Sequence, residues 1–359
     1  MKLASVEVIP YALPFRQPYV TARGRLERRQ MVLLRLRSED GAVGLGEAVP
    51  LSLRGGAGLV EVVRELEALT GLPGADEDSL RASCVGLSAP ARCAVAIALT
   101  DLRGRIDGVR SPFVSPDGTK DDHTSEEPVA CNATLVAGEP AAVAADAMAW
   151  AAQGFGTFKL KLGAGDDVGQ VRAVREALGP AARIRVVANE AWDAETAIAT
   201  LRELEPFDVE LAEQPVRGLE AMARVAAATS IPLAADESVE NQADAERAVA
   251  AGASHFTGIK LSKVGGPEEA LAIAAVLPAY VSSALDGPVG IAAGAALAAT
   301  IDAGGGPGLA HGLATQRLFA ETVAAVECEL RGGFLHPPPG PGIGVEIDED
   351  ALAAHRLDH

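Results

Sequence analysis

Apolar residues follow two periods along this chain. Up to about Pro50 they come in extended runs, "KLASVEVIPYALPF" and "QMVLLRLRSEDGAVGLGEAVP". The turn signal "SEDG" inside the second run predicts a hairpin or meander of strands. From "GLVEVVRELEAL" to "ARCAVAIALTDLRGRI" the apolar positions recur three and four apart, the period of helices with a buried face. "SPFVSPDGTKDDHTSEEP" follows, rich in Pro, Asp, Ser and Thr, and is expected to be a linker or surface loop at a domain boundary. Beyond it short apolar runs alternate with alanine-rich helical stretches. The runs are "VACNATLV", "TFKLKLG", "RIRVVAN", "DVELAEQP", "IPLAADES", "FTGIKLS", "AYVSSALD" and "GLAHGLA". Eight strand–helix units predict an α/β fold with a closed parallel (β/α) barrel. An open doubly wound sheet is the alternative, and the first strand lacks the glycine-rich phosphate turn that would favour it. The tail from about Phe319, with "GGFLHPPPGPGIGVEI", is expected to leave the barrel and pack back on the N-terminal segment. The expected units are thus an α+β segment over 1–125, a barrel over 126–318 and a returning tail over 319–359.

Charge narrows the partners. The net charge is -18, from 31 basic and 49 acidic residues, which argues against nucleic acid or an anionic membrane surface. An acidic surface kept for solubility accounts for the excess. Cys84, Cys93, Cys131 and Cys328 lack metal-type spacing, so buried free thiols are expected rather than disulfides. The N-terminus shows no signal-peptide pattern, and no run of about 20 apolar residues is free of polar interruption. A cytoplasmic protein, monomer or homo-oligomer, acting on a small molecule is the expectation.

Candidate chemistry gathers at the strand ends, where barrels of this kind place reacting groups. "TFKLKLG" ends in Lys159 and Lys161, two apart and therefore on one strand face. Facing the helices, both charges would be buried against apolar cover, so the barrel mouth is the better placement. "DVELAEQP" ends in Glu213, "IPLAADES" in Asp236 and Glu237, and "FTGIKLS" in Lys260. A shared mouth lets these charges pair or bind a cation. Carboxylate oxygens from adjacent strands suit Mg²⁺, with Mn²⁺ as a substitute. Two lysines flanking such a site suit proton transfer, because burial and nearby cations lower a lysine's pKa.

With "KLK", "VVANEAWD", "ELAEQP", "ADES" and "IKLSKVGG" in that order, the chain resembles the enolase superfamily, in its muconate-lactonizing-enzyme subgroup. The resemblance covers nearly the whole chain. It implies a modified (β/α)7β barrel under a capping domain built from the N-terminal segment, with "GAVGLGEAVPL", and the C-terminal tail. It implies Lys161 as general base, Lys159 beside it and Lys260 on the opposite face. Glu213 and Asp236 match two of the three metal ligands. The family's first ligand is the Asp of a "DAN" pattern, and here that pattern is Val187-Ala188-Asn189. Asn189, on the same strand face as Val187, is the expected substitute ligand, with Glu190, at a position where glycine is expected, as another. "CNATLV" and "VSSALD" followed by "VGIAAGAALA" are most similar to o-succinylbenzoate synthases. Departures are Gly287-Pro288 after Asp286, where Thr-Ser is expected, and the capping loop "PYVTARGRLERRQ". Thr21, Arg23, Leu53 and Arg54 are expected to close over substrate, with Arg23, Lys159 and Ser283 contacting it. The implied reaction is Mg²⁺-dependent proton abstraction beside a carboxylate followed by dehydration. Racemisation, epimerisation or cycloisomerisation with the same lysines is the alternative. A third reading, prompted by Val187, is a homologue with impaired metal binding that binds without catalysing.

Overall fold

The computed structural model describes residues 1–21, 24–52, 55–71, 74–110 and 127–358. Arg23, Leu53, Arg54 and nearly all of the predicted linker lie outside these residues. The N-terminal segment opens with β1 (Leu3–Thr21), β2 (Gly24–Ser38) and β3 (Val43–Ala48), an antiparallel sheet in the order β1-β2-β3. The turn after Ser38 joins β2 to β3 where "SEDG" predicts it. Three helices follow, α1 (Leu59–Glu67), α2 (Glu77–Ser83) and α3 (Ala89–Asp107). α3 is buried on most of its circumference because the sheet covers one side and the barrel the other. Glycine makes that approach feasible. A Cβ on Gly46 would stand 1.9 Å from the Ala94 carbonyl oxygen, and one on Gly44 2.2 Å from that of Ala98.

The second segment alternates strands and helices. Its elements are β4 (Val129–Ala130), β5 (Ala133–Leu135), α4 (Pro140–Ala151), β6 (Thr157–Lys161), α5 (Asp167–Leu178), β7 (Arg183–Val187), α6 (Ala194–Leu204), β8 (Val209–Glu213), α7 (Leu219–Ala226) and β9 (Leu233–Ala235). They continue with α8 (Gln242–Ala250), β10 (Phe256–Ile259), α9 (Leu261–Val264), α10 (Pro267–Val276), β11 (Ala279–Val281) and α11 (Pro288–Ala303). Asp166, Asp193 and Asn241 cap α5, α6 and α8 by accepting a hydrogen bond from the backbone N–H three residues on, which fixes where each helix starts. β5 to β11 form one parallel sheet in sequence order.

Two of the eight predicted runs behave differently. "VACNATLV" splits into β4 and β5, because Val129–Ala130 turns away to pair with the tail. "GLAHGLA" is not a strand. His311 and Gly312 form single parallel bridges to Cys131 and Ser282 and so close the ring between β5 and β11. The Val281 N–H is taken by the His311 Nδ1 rather than by a backbone carbonyl, which limits the ladder to isolated bridges. The ring is a seven-stranded sheet closed by a bridging segment.

The tail comprises β12 (Ala324–Val326), β13 (Glu329–Arg331), β14 (Phe334–His336), β15 (Glu346–Ile347) and α12 (Glu349–His355). β12 pairs with β15, and the β13–β14 hairpin pairs with β4. Asp101 of α3 accepts from the backbone N–H of Ile343, and the Leu357 N–H donates to the Pro10 carbonyl. The tail contacts the N-terminal segment, and its β13–β14 hairpin packs on β4 and Gly154, ahead of the first barrel strands and away from the mouth. All four cysteines are free and buried. No helix among the described residues is long and apolar enough to cross a membrane.

Candidate active site at the barrel mouth

Register decides which side chains meet inside the barrel. Lys159, Arg185 and Leu211 stand in one row across β6, β7 and β8. Lys161, Val187, Glu213 and Ala234 stand in the next row toward the mouth. Partners in such a row point to the same face of a parallel sheet. The alternate residues, Phe158, Leu160, Val186 and Ala212, belong to the core under the helices. Asp236 and Lys260 follow directly on the ends of β9 and β10. Counting round the closed ring, β6 and β10 are four positions apart in either direction. Lys161 and Lys260 thus occupy opposite walls.

The charged groups form linked pairs. Lys159 Nζ donates to Glu213 Oε2 at 2.6 Å, and the Tyr280 hydroxyl donates to the same oxygen. Lys260 donates to Asp236 Oδ2, and Lys263 to Asp236 Oδ1 at 3.0 Å. Lys161 differs. Its ammonium donates to the neutral amide oxygen of Asn189 at 2.6 Å, and the Asn189 amide N donates to Glu237 Oε1 at 3.0 Å. Desolvation, reinforced by the neighbouring Lys159 charge, lowers the Lys161 pKa to about 7, although Glu213 pulls the other way. Glu213 goes down to about 2: burial opposes its ionisation, and the adjacent lysines, Lys159 foremost, outweigh burial. At neutral pH Lys161 is thus divided between amine and ammonium while Glu213 stays ionised.

Backbone strain marks the same rim. Asn189 and Glu190, just past β7, have φ of 50° and 65°, and Gln214, just past β8, has φ of 40°. Side chains other than glycine adopt this region at a cost, and such outliers cluster at functional sites. The φ at Glu190 is the physical reason a glycine is expected there. Gln214 returns the cost locally: its Oε1 accepts from the backbone N–H of Asp236 at 2.9 Å, which fixes the approach to that carboxylate.

Above the floor lies a cavity of about 360 Å³, lined by Lys159, Lys161, Glu213, Glu237, Lys260 and, from the capping sheet, Arg29. Arg29 donates to the carbonyls of Pro50 at 2.8 Å and Ala284 at 3.0 Å, so it ties the cap to the loop after β11. Ser283 also lines the cavity, but its hydroxyl donates to Asp286 at 2.7 Å and accepts from Thr315 and two backbone N–H groups. The structure makes it an organiser of that loop. Gly287 follows because a Cβ there would stand 2.3 Å from the Tyr11 hydroxyl, which removes room for the expected Thr.

Several contributors escape sequence reasoning. Tyr280 reaches across the barrel to Glu213, and the buried Arg185 lies with its guanidinium 5.2 Å from the Tyr280 ring centroid. Lys263 is one helical turn after Lys260, a spacing that was available as a signal.

The chain that carries this arrangement matches known proteins in sequence and in fold. Residues 142–351 match the model for "Enolase C-terminal domain-like" and residues 4–110 the one for "Mandelate racemase / muconate lactonizing enzyme, N-terminal domain". The chain belongs to the enolase superfamily. It is 39% identical to an o-succinylbenzoate synthase of Thermobifida fusca over 197 residues, a match covering 54% of this chain and 59% of that enzyme. It is 31% identical to a chloromuconate cycloisomerase of Cupriavidus pinatubonensis, covering 95% of both chains. A dipeptide epimerase from Cytophaga hutchinsonii, solved with Mg and the dipeptide D-Ala-L-Val, superposes with a TM-score of 0.87 at 28% identity, covering 99% of this chain and 98% of that one. These relatives span lyase and isomerase chemistry on one scaffold.

A divalent cation at this mouth meets an incomplete donor set. Val187, fully buried, stands in the row between Lys161 and Glu213 and offers no oxygen. Asn189 is engaged on both sides by Lys161 and Glu237. Among the described residues no three carboxylate, histidine or cysteine side chains converge to hold a metal ion. Two carboxylates hold Mg²⁺ when waters and substrate supply the rest. Here, however, Glu213 and Asp236 each already carry ammonium partners. The residues present do not fit a three-carboxylate magnesium centre.

Proposed function

We propose that this protein removes a proton from the carbon beside a carboxylate of a small organic acid, with Lys161 as the base. The observation that carries this reading is the placement of Lys161 and Lys260 on opposite walls of one cavity, with Lys161 brought to a pKa of about 7. A base titrating near the working pH combines an adequate amine fraction with useful proton affinity. Loss of the proton places negative charge on the substrate carboxylate oxygens. The ammonium groups of Lys159 and Lys260 border the same space and stabilise that charge as it develops.

We further propose that the reaction proceeds to dehydration, the outcome that the resemblance to o-succinylbenzoate synthases implies, and a Thermobifida relative of that name supports this reading. The Lys161 ammonium formed in the first step returns its proton to a hydroxyl on the adjacent carbon. That carbon–oxygen bond breaks, water leaves, and a carbon–carbon double bond forms. The Arg29 ties hold the cap against the loop after β11, beside this cavity.

The test is hydrogen exchange by NMR in D₂O over a panel comprising the cyclohexadiene acid of o-succinylbenzoate synthases, N-succinyl amino acids, dipeptides and muconolactone. Loss of the α-hydrogen with release of water from the cyclohexadiene acid is the expected result, with Lys161→Ala inactive. Exchange without elimination on the succinyl amino acids or dipeptides moves the reading to epimerisation. No exchange on any member by folded protein refutes it.

A further inference from the structure

We infer that the mouth binds the carboxylate of its substrate directly on the ammonium groups of Lys159 and Lys260, with no metal ion between. The inference rests on the proposed reading in one respect only, that the ligand is a carboxylate.

Four observations carry it. The row that faces the cavity floor runs Lys161, Val187, Glu213, so an apolar side chain stands where an anion would be needed to complete a cation cradle. The cavity lining is positive although the whole chain carries a net charge of -18: Arg29, Lys159, Lys161 and Lys260 face Glu213 and Glu237. With Lys161 counted as neutral, and with Asp236 and its second partner Lys263 included beside Lys260, four cations still face three anions among the described residues. A dication entering this lining adds to an existing excess, whereas a carboxylate relieves it. Lys159 also has donors to offer. An ammonium group carries three N–H donors, and its hydrogen bond to Glu213 uses one.

Position matters as much as charge. Glu213, one row nearer the mouth, fixes the Lys159 ammonium, and Asp236 fixes that of Lys260 on the facing wall. Two anchored ammonium groups on facing walls present a carboxylate with a donor on either side. Charge-assisted hydrogen bonds of this kind are the strong ones. A bridging metal would have to displace these ammonium groups from Glu213 and Asp236 before it gained either oxygen.

The experiment uses the full chain, stripped with EDTA. Calorimetry follows succinate binding with and without Mn²⁺, and Mn²⁺ binding alone. The expected result is succinate binding in EDTA, weakened by added NaCl, and changed by no more than about two-fold when Mn²⁺ is present. Mn²⁺ alone should bind no tighter than millimolar. Val187→Asp should tighten Mn²⁺ by roughly 10- to 100-fold, and Lys159→Met should weaken succinate by roughly ten-fold or more. Succinate binding that requires Mn²⁺, micromolar Mn²⁺ affinity in the unaltered protein, or no succinate binding at all would overturn the inference. The unaltered protein and its salt dependence decide the matter even where a variant fails to fold. Failure here is separable from failure of the proposed reaction. Hydrogen exchange that needs Mn²⁺ sinks metal-free binding and keeps the base. Metal-free succinate binding with no exchange on any acid does the reverse.

Discussion

Replacing Lys159 with Met should move the pH dependence of the reaction without touching the base itself. Lys161 loses its proton near pH 7 because it is desolvated and because Lys159 stands beside it. An ordinary lysine titrates at about 10.4, so fewer than about one in a thousand would be neutral at pH 7. In the unaltered protein the exchange rate should rise about ten-fold per unit up to pH 7 and level off above about pH 8. Lys159 and Lys161 lie two residues apart on β6, which sets their charges about 7 Å apart at a rise of about 3.3 Å per residue. At an effective dielectric constant of about 20, unit charges at that separation interact by about 2.4 kcal/mol, or about 1.7 pKa units. Removing Lys159 also leaves the Glu213 charge less compensated, and Glu213 pulls Lys161 upward. The rising limb should therefore move to about pH 8–9 in Lys159→Met. The assay is the rate of α-hydrogen exchange in D₂O across pH, supported by ¹³C NMR of lysine-labelled protein, which titrates Lys161 even where turnover is too slow to follow. The position of the limb carries the test, since its height falls with any loss of substrate binding. An unmoved limb, or one that moves to lower pH, refutes the claim that Lys159 holds the Lys161 pKa down.

Three other outcomes follow from the geometry. Tyr280→Phe removes a hydroxyl donor from the buried Glu213 and should cost about 1.5–3 kcal/mol in urea unfolding, with a value near zero showing that Lys159 alone satisfies that carboxylate. Burial, with Asp286 adding to it, raises the Glu47 pKa to about 8. The folded state therefore holds that proton more tightly than the unfolded chain does. The stability it contributes is full below about pH 4.5 and is lost as pH rises to about 8, so Glu47→Gln should flatten the fall in Tm over that window, and parallel curves would show that Glu47 is not the titrating group. Gly46→Ala places a Cβ against the Ala94 carbonyl and should destabilise the cap by about 1–3 kcal/mol or more, seen as a lowered urea midpoint.

The alternation of apolar runs and helical stretches is a local signal, and it sufficed for the barrel and for the two lysines of "KLK". Their charges stand out because their neighbours Phe158 and Leu160 on β6 are apolar. Ring closure is not local. "GLAHGLA" has a strand's composition, yet a side chain from its own His311 takes the Val281 N–H that a strand would have needed. Arg183 and Arg185 look equivalent in the sequence, two apart on one face. Arg183 sits at the outer start of β7, exposed, whereas Arg185 is one pleat deeper, fully buried, and donates to the Ala310 carbonyl. Depth along the barrel axis separates them, and a sequence does not display depth. Tyr280 was hidden for the same reason, since its hydroxyl acts on a strand three places away round the ring.

The row Lys161, Val187, Glu213 also has a bearing on how the protein can change. Valine and aspartate codons share their first base and differ at the second. The left-handed turn at Asn189 and Glu190, the flanking lysines and both remaining carboxylates stand ready around that position. A change of very few nucleotides would therefore put a third carboxylate into this row without rebuilding the barrel.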